Sequence, residues 1–251
     1  MSWLAKLFSK KEPELAPASL SPLKVDMHSH LIPGIDDGAR NMDESIAMLA
    51  KFESLGYEKV ITTPHIMGDF FKNNPEIINN GLKEVQTTAK QLGLKIQIEA
   101  AAEYYYDDSL TQRLQNDEKL LSFNDGYLLF EFPLNTRPDN IQNLIFEFQS
   151  RNYKPVLAHC ERYSWMEGNL DEVREWRNLG VNIQVNYNSL LGHYGPTITS
   201  FARSIVEEEL VDFLASDCHR MEHLMSMEEG LTKPIVHMAL ALPLKNASLN
   251  N

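Results

Sequence analysis

The sequence predicts an α/β fold, a (β/α) barrel of the TIM type, and three observations carry that reading. Short apolar runs rich in Val, Ile and Leu alternate with longer amphipathic segments from Lys24 onward, the order of parallel strands joined by crossover helices. Side chains of metal-binding type stand at the ends of five of those runs. A chain of 251 residues suits a barrel that is one domain.

The predicted strands are 24–30, 59–64, 95–101, 127–132, 155–159, 182–186 and 212–216. Helices fit between them at 42–55, 75–92, 139–151, 170–179 and 198–209, with a less regular piece at 108–118. Gly56, Gly93 and Gly180 follow three of these helices, where a left-handed residue is expected. An open doubly wound sheet would also satisfy the alternation. In such a sheet chemistry gathers at one crevice, whereas a barrel brings every strand end to one rim. His28 and His30 end strand one, His65 strand two, Glu103 strand three, His159 strand five, and Asp217 with His219 strand seven. Ligands from five strands favour the barrel.

In strand one, Val25-Asp26-Met27-His28-Ser29-His30, the two histidines are two apart. An extended chain puts both imidazoles on one face and Met27 and Ser29 on the other. Pro33, Gly34 and Gly38 then turn the backbone, returning Asp36 and Asp37 over the strand end, where oxygen ligands can join the nitrogens. His193, His223 and His237 read as surface or packing residues, His193 being the best placed of them to face the site.

Composition narrows the function. Hydrophobic content is 43% and charged content 23%, ordinary for a globular protein. A formal net charge of −12, with no basic stripe, speaks against a nucleic-acid partner. Two cysteines cannot make a disulfide scaffold and fit a reducing cytoplasm. No window approaches the ~18 apolar residues of a membrane span. Residues 1–11 place Trp3, Leu4, Leu7 and Phe8 on one helical face, with Lys6, Lys10 and Lys11 elsewhere. That pattern suits a tail that is disordered or lies weakly on the inner membrane surface or a partner. Residues 12–22 read as a linker, so the expected division is a tail and linker at 1–23 and a barrel domain at 24–251.

Asp26-Met-His28-Ser-His30, Thr63-Pro-His65, Glu103, His159-Cys-Glu-Arg162-Tyr and Ser216-Asp217-Cys-His219 resemble the successive motifs of the PHP (polymerase and histidinol phosphatase) superfamily. Within it, His28-Ser-His30-x-x-Pro-Gly-x-Asp36-Asp37-Gly38 and His159-x-Glu-Arg162-Tyr163 resemble the metal-dependent protein-tyrosine phosphatases of bacterial capsule and exopolysaccharide loci. The resemblance spans Val25 to His219 in consistent order.

It implies a distorted (β/α)7 barrel, the PHP fold, holding three divalent metal ions. His28, His30, Glu103 and Asp217 would hold the first, Glu103 would bridge to a second bound by His159, and Asp37, His65 and His219 would hold the third. Mixed imidazole and carboxylate donors suit manganese, iron or zinc, of which manganese is the first expectation. Such a cluster lowers the pKa of bound water and neutralises the oxygens of an in-line displacement. Glu103 and Asp217 would act in catalysis through the metals. Arg162 would add a cation fork for the phosphoryl group.

Family members often carry a further arginine beyond the last His motif in a Gly- and Pro-rich turn. Here the stretch is His219-Arg220-Met221-Glu222-His223, leaving Arg220 as the candidate for a second phosphate contact. Cys160 and Cys218 neighbour proposed ligands and read as packing residues. Neither has the Arg six positions on that a cysteine-dependent phosphatase needs; those positions are Met166 and Leu224. Tyr104-Tyr105-Tyr106 follow Glu103, and Tyr104 is the candidate to stack on a substrate phenol. Rim loops carry Phe70, Phe71, Trp165 and Tyr194, which suit the walls of a peptide groove.

The expected function is a cytoplasmic phosphatase acting on the phosphotyrosine-bearing tail of a bacterial kinase in polysaccharide export. A small-molecule phosphatase of the histidinol-phosphate kind and a non-catalytic phosphotyrosine-binding barrel are the alternatives. Buried unpaired carboxylates and imidazoles are costly without metal, which disfavours the last.

Overall fold

The structure, a computed structural model, describes residues 14–250. Among the described residues, seven strand positions run parallel in the predicted order, and two of them are broken, giving nine segments. β1 (Val25–Asp26) pairs with β2 (Lys59–Thr62), and β2 with β4 (Gln97–Ala100). β3 (His65–Ile66) pairs with β5 (Glu103–Tyr105). From β5 the sheet continues through β6 (Tyr127–Glu131), β7 (Lys154–Leu157), β8 (Asn182–Asn186) and β9 (Phe213–Ala215). The breaks fall at Thr63-Pro64 and Ala101-Ala102. Pro64 has no N–H to give the ladder, so the pairing jogs there. It resumes with the Glu103 amide donating to the Pro64 carbonyl at 3.2 Å, which sets His65 directly opposite Glu103.

The crossover helices are α1 (Met42–Ser54), α2 (Pro75–Gln91), α3 (Asp108–Gln115), α4 (Ile141–Ser150), α5 (Leu170–Asn178), the short α6 (Tyr187–Leu190) and α7 (Pro196–Glu207). α8 (Met221–Gly230) and α9 (Pro234–Ala241) follow β9 and, like α6, lie outside the predicted set. Asn41, Asn74, Asp107 and Asn169 cap four helices, each side chain accepting from the amide three residues on. Gly56, Gly93 and Gly180 adopt φ of 96°, 79° and 83°, the left-handed endings expected of them. α1 buries Ser45, Met48, Leu49 and Phe52, one helical face.

Alternation along the strands divides the core. Val25, Met27, Ile61, Ala101, Leu129, Val156, Ala158, Phe213 and Ala215 fill the barrel, with Leu249 from the C-terminal turn (Asn246–Asn250) packed among them. Val60, Ile98, Leu128, Phe130, Leu157, Ile183 and Leu214 point the other way, to the helices. Met27 sits inside the barrel with Val25, two residues before it, and the paired ladder stops at Asp26. The Asp26 carboxylate replaces the ladder there, accepting from the Ser216 amide at 2.8 Å and hydroxyl at 2.9 Å. A single parallel bridge, Ser29 to Cys218, follows above it.

Asn246 closes the other end of this seam. Its amide donates to the carbonyls of Val25 (3.0 Å) and Leu214 (2.8 Å), and its oxygen accepts from the Leu214 amide at 3.1 Å. Asn246→Ala is expected to lower the unfolding free energy by about 3 kcal/mol, one modest share for each lost bond. Urea titration reads this as a lower midpoint at unchanged slope.

The expected tail and linker meet the structure only in part. Residues 1–13, with the amphipathic face at 1–11, lie outside the described residues. Residues 14–23 are docked on the barrel rather than forming a free linker. The amides of Leu15 and Ala18 donate to the carbonyls of Thr232 and Leu231, and Leu20 and Leu23 are buried in the outer core. Those two leucines give this Pro- and Ser-rich stretch its apolar anchors.

Candidate metal centre

Every residue that the sequence nominated as a metal ligand lies at one mouth of the barrel. Two of the strand ends reach it through strained backbone: His159, after β7, has φ 32°, and Asp217, after β9, has φ 48°. Gly38 brings the first loop in. Its α-carbon lies so close to His30 that an added Cβ would stand 2.2 Å from the His30 carbonyl oxygen. That approach delivers Asp36 and Asp37 to the histidines.

Glu103 is at the centre and fully buried. Its Oε2 lies 3.1 Å from His28 Nε2, 3.4 Å from His30 Nε2 and 3.1 Å from His65 Nδ1, and its Oε1 lies 3.1 Å from His159 Nε2. Asp217 Oδ1 is 3.3 Å from His28 Nε2, 3.6 Å from His30 Nε2 and 3.3 Å from His219 Nδ1. Asp37 Oδ1 reaches His65 Nε2 at 3.5 Å and His219 Nε2 at 3.3 Å.

Residues around these fix the imidazole tautomers. The Gln184 Oε1 accepts from the His159 amide at 2.9 Å, and its Nε2 donates to Asn186 Oδ1 at 2.8 Å, so the oxygen faces His28 Nδ1 at 3.0 Å. In its neutral form His28 therefore carries its proton on Nδ1 and presents a lone pair on Nε2. Asp36 does the same for His30, with its Oδ2 2.8 Å from Nδ1. The two Nε2 atoms then face each other at 3.3 Å. His65 Nδ1 stands 3.1 Å from Glu103 and 3.3 Å from Glu131, yet in hydrogen-bonding alignment with neither. Lone pairs and carboxylates converging on common points fit divalent cations. Among the described residues, four overlapping donor groups meet this condition: His30, Asp37, His65 and His219; His28, His30 and Glu103; His28, His159 and Asp217; and His65, Glu103 and Glu131.

Protons show the same pull. Burial pushes the His28 and His65 imidazoliums down, but carboxylates outweigh it, Glu103 and Asp217 for His28, Glu103 and Glu131 for His65, and both are raised to about 10. The imidazoles in turn hold the Glu103 and Asp217 carboxyls well below the usual range despite burial.

Glu131, the last residue of β6, escaped the sequence reading; its Oε2 is 3.5 Å from His159 Nε2. Arg162 does reach the site, with Nη1 3.1 Å from Asp217 Oδ2 and its guanidinium 4.7 Å from the Tyr194 ring centre. It borders a cavity of about 430 Å³ that Tyr105, Glu131, Leu134, His159, Asp217 and His219 also line. Arg220 is exposed on the rim between this cavity and a neighbouring one of about 720 Å³.

Tyr104 does not face the substrate side. It is fully buried in the outer core, its hydroxyl accepting from the Leu121 amide at 2.7 Å. Alternation from Glu103 sends Tyr104 outward and leaves Tyr105 at the cavity. Of the rim aromatics, Phe71 stacks on His65 at 5.4 Å and Tyr194 lines the cavity. Trp165 packs on Tyr163, and Phe70 is 74% exposed. His193 lines both cavities and His223 is buried behind His219, while His237 bonds the Leu231 carbonyl away from the site. Cys160 and Cys218 are buried packing residues, and burial pushes both thiols up.

Comparison with known proteins agrees with this geometry. The family model described as "Capsular polysaccharide synthesis, CpsB/CapC" matches residues 24–232. CapC of Staphylococcus aureus is 32% identical over 198 residues, 78% of this chain and 76% of its own. The tyrosine-protein phosphatase CpsB of Streptococcus pneumoniae is 30% identical over 204 residues, 79% of this chain and 84% of its own. The crystal structures of YwqE from Bacillus subtilis and CpsB from S. pneumoniae are described as those of unique metal-dependent tyrosine phosphatases. A chain from that work superposes with a TM-score of 0.73 at 26% identity, covering 88% of this chain and 96% of that one. A TatD-family hydrolase of Entamoeba histolytica, 13% identical with a TM-score of 0.51 over 94% of this chain and 95% of its own, shares the fold alone. With five motifs gathered at one barrel mouth and most of its length matched, this chain belongs to the CpsB/CapC family of capsular polysaccharide synthesis.

Proposed function

We propose that the protein is a metal-dependent protein-tyrosine phosphatase, hydrolysing phosphotyrosine on the tail of a bacterial tyrosine kinase that controls capsule or exopolysaccharide synthesis. The observation that carries this reading is the convergence of lone pairs and carboxylates from five strand ends beside one arginine. The relatives named as tyrosine phosphatases support the substrate class.

Three divalent ions, manganese first and iron or zinc otherwise, complete the site in this reading. His28, His30, Glu103 and Asp217 would hold one; Glu103, His159 and Glu131 a second; Asp37, His65 and His219 a third. When bound, the ions lower the pKa of a water and offset the charge of the phosphoryl oxygens. Gln184 and Asp36 keep the His28 and His30 lone pairs turned inward. Arg162 receives phosphoryl oxygens on the guanidinium edge that Asp217 leaves free. Tyr105 and Leu134 wall the space for the phenol ring. A tyrosyl phenolate, with a pKa near ~10, leaves without a strong general acid.

The test is elemental analysis of the purified protein together with phosphate release from phosphotyrosyl and phosphoserine peptides and from histidinol phosphate. Metal-loaded protein turning over the phosphotyrosyl peptide fastest is the expected result. Failure to release phosphate from it at full metal occupancy sinks the proposal, and preference for histidinol phosphate moves it to a small-molecule enzyme.

The tail at 1–11 holds the protein at the inner membrane surface in the same reading, on the strength of Trp3, Leu4, Leu7 and Phe8 beside three lysines. Full-length protein is expected to float with anionic liposomes and a chain starting at Ser21 to stay behind. Equal partitioning removes the idea.

A further inference from the structure

Arg162 can serve phosphate only if its guanidinium is held, because a long flexible side chain loses rotamer freedom on binding. One face is accounted for at the metal centre. Its Nη1 donates to Asp217 Oδ2 at 3.1 Å, and the Asn186 amide donates to the same oxygen at 2.7 Å. The other restraint comes from a different element. The loop after α6 places the Tyr194 ring 4.7 Å from the guanidinium carbon, within the range of a cation–π contact. Tyr194 is only half-buried and lines the same cavity as Arg162, so the ring is part of the cavity wall. Gly192 and Gly195, both with φ of 96°, bracket His193 and Tyr194 and turn the loop back toward the barrel mouth. Burial pushes the Tyr194 phenol up, and the Asn186 side chain is a hydrogen-bond partner of its hydroxyl. Tyr194, Asn186, Asp217 and Arg162 thus form a closed ring of contacts from four separate chain segments.

We propose that Tyr194 is a positioning residue that clamps the Arg162 guanidinium between its ring and Asp217, leaving the remaining donors turned into the cavity. This deepens the phosphatase reading and rests on it. The clamp needs the ring face and not the hydroxyl, so the two can be separated by substitution.

The experiment is a double-mutant cycle on the metal-loaded full-length enzyme, read as kcat/KM for a phosphotyrosyl peptide, with metal content and melting temperature measured for each variant. Tyr194→Ala is expected to lower kcat/KM about tenfold at unchanged metal content. Tyr194→Phe is expected to recover most of that rate. In the Arg162→Ala background, Tyr194→Ala is expected to cost less than about twofold, because the residue it acts through is gone. A full tenfold loss in that background overturns the proposal, since Tyr194 would then act on the substrate itself. So does a loss of metal or a collapse of melting temperature that accounts for the Tyr194→Ala rate. If Arg162→Ala alone leaves hydrolysis intact, the phosphate-binding reading of Arg162 fails first, which is a distinct result.

Discussion

Glu103→Gln is expected to reduce phosphotyrosyl hydrolysis by on the order of a thousandfold, since in the proposed reading the nucleophile and charge neutralisation both depend on ions that Glu103 would hold. It is also expected to lower the metal content of the purified protein. The substitution keeps the side-chain volume while it removes the charge and turns one acceptor oxygen into an amide donor, so packing inside the barrel is preserved. The effect is large because one carboxylate serves four imidazoles, those of His28, His30, His65 and His159. No neighbour can replace it. Of these four, Asp217 touches only His28 and His30, and Glu131 only His65 and His159.

The same variant changes how the metal-free protein responds to pH. His28 and His65 are raised to about 10 against an ordinary 6.5, so protonating them stabilises the fold. That contribution is fully present below about pH 6.5 and is lost as pH rises toward 10. Glu103, held below its ordinary value, contributes above about pH 4.5. Chelator-treated protein should therefore melt at progressively lower temperature from pH 6.5 to 10, and Glu103→Gln should flatten that slope. Adding metal should remove it, because ions displace the same protons. A wild-type melting temperature that does not move over this range, with metal removed, contradicts the argument.

Which parts of this site could be read from the chain follows from where each signal lives. His28, His30, His65, His159, Asp217 and His219 stand beside turn residues or in short motifs, so local pattern exposes them. Glu131 stands in the apolar strand Tyr-Leu-Leu-Phe-Glu before Phe132-Pro133 and looks like a single solvated acid. The usable signal was positional: strand four was a strand end without a donor, and Glu131 shares parity with the interior residue Leu129. Parity from Glu103 likewise favours Tyr105 over Tyr104 at the cavity. The break at Thr63-Pro64 was announced by the proline. The partners Gln184 and Asn186 were not legible, because two amides in a strand become informative only when neighbouring strands bring His28 and Asp217 to them.

Arg162→Ala is expected to lower kcat/KM for the phosphotyrosyl peptide by about 10²–10³, the usual cost of removing one fixed donor to a charged transition state. Metal content should be unchanged, because Asp217 keeps the Asn186 amide at 2.7 Å and the His28 and His219 imidazoles when its arginine partner is lost. That combination separates a phosphate contact from a structural ion pair. Were Arg162 present only to neutralise Asp217, its removal would release metal or lower the melting temperature, and the rate would follow the metal. Arg162→Lys sharpens the distinction. A lysine preserves the charge but offers a point donor in place of a planar fork, so it should restore only a small part of the loss. The geometry allows the fork: Nη1 is committed to Asp217 Oδ2, and the side chain is 23% exposed at the cavity wall, leaving the rest of the guanidinium for phosphoryl oxygens. Full rescue by lysine would mean that charge alone matters at this position, and the bidentate contact would have to be given up.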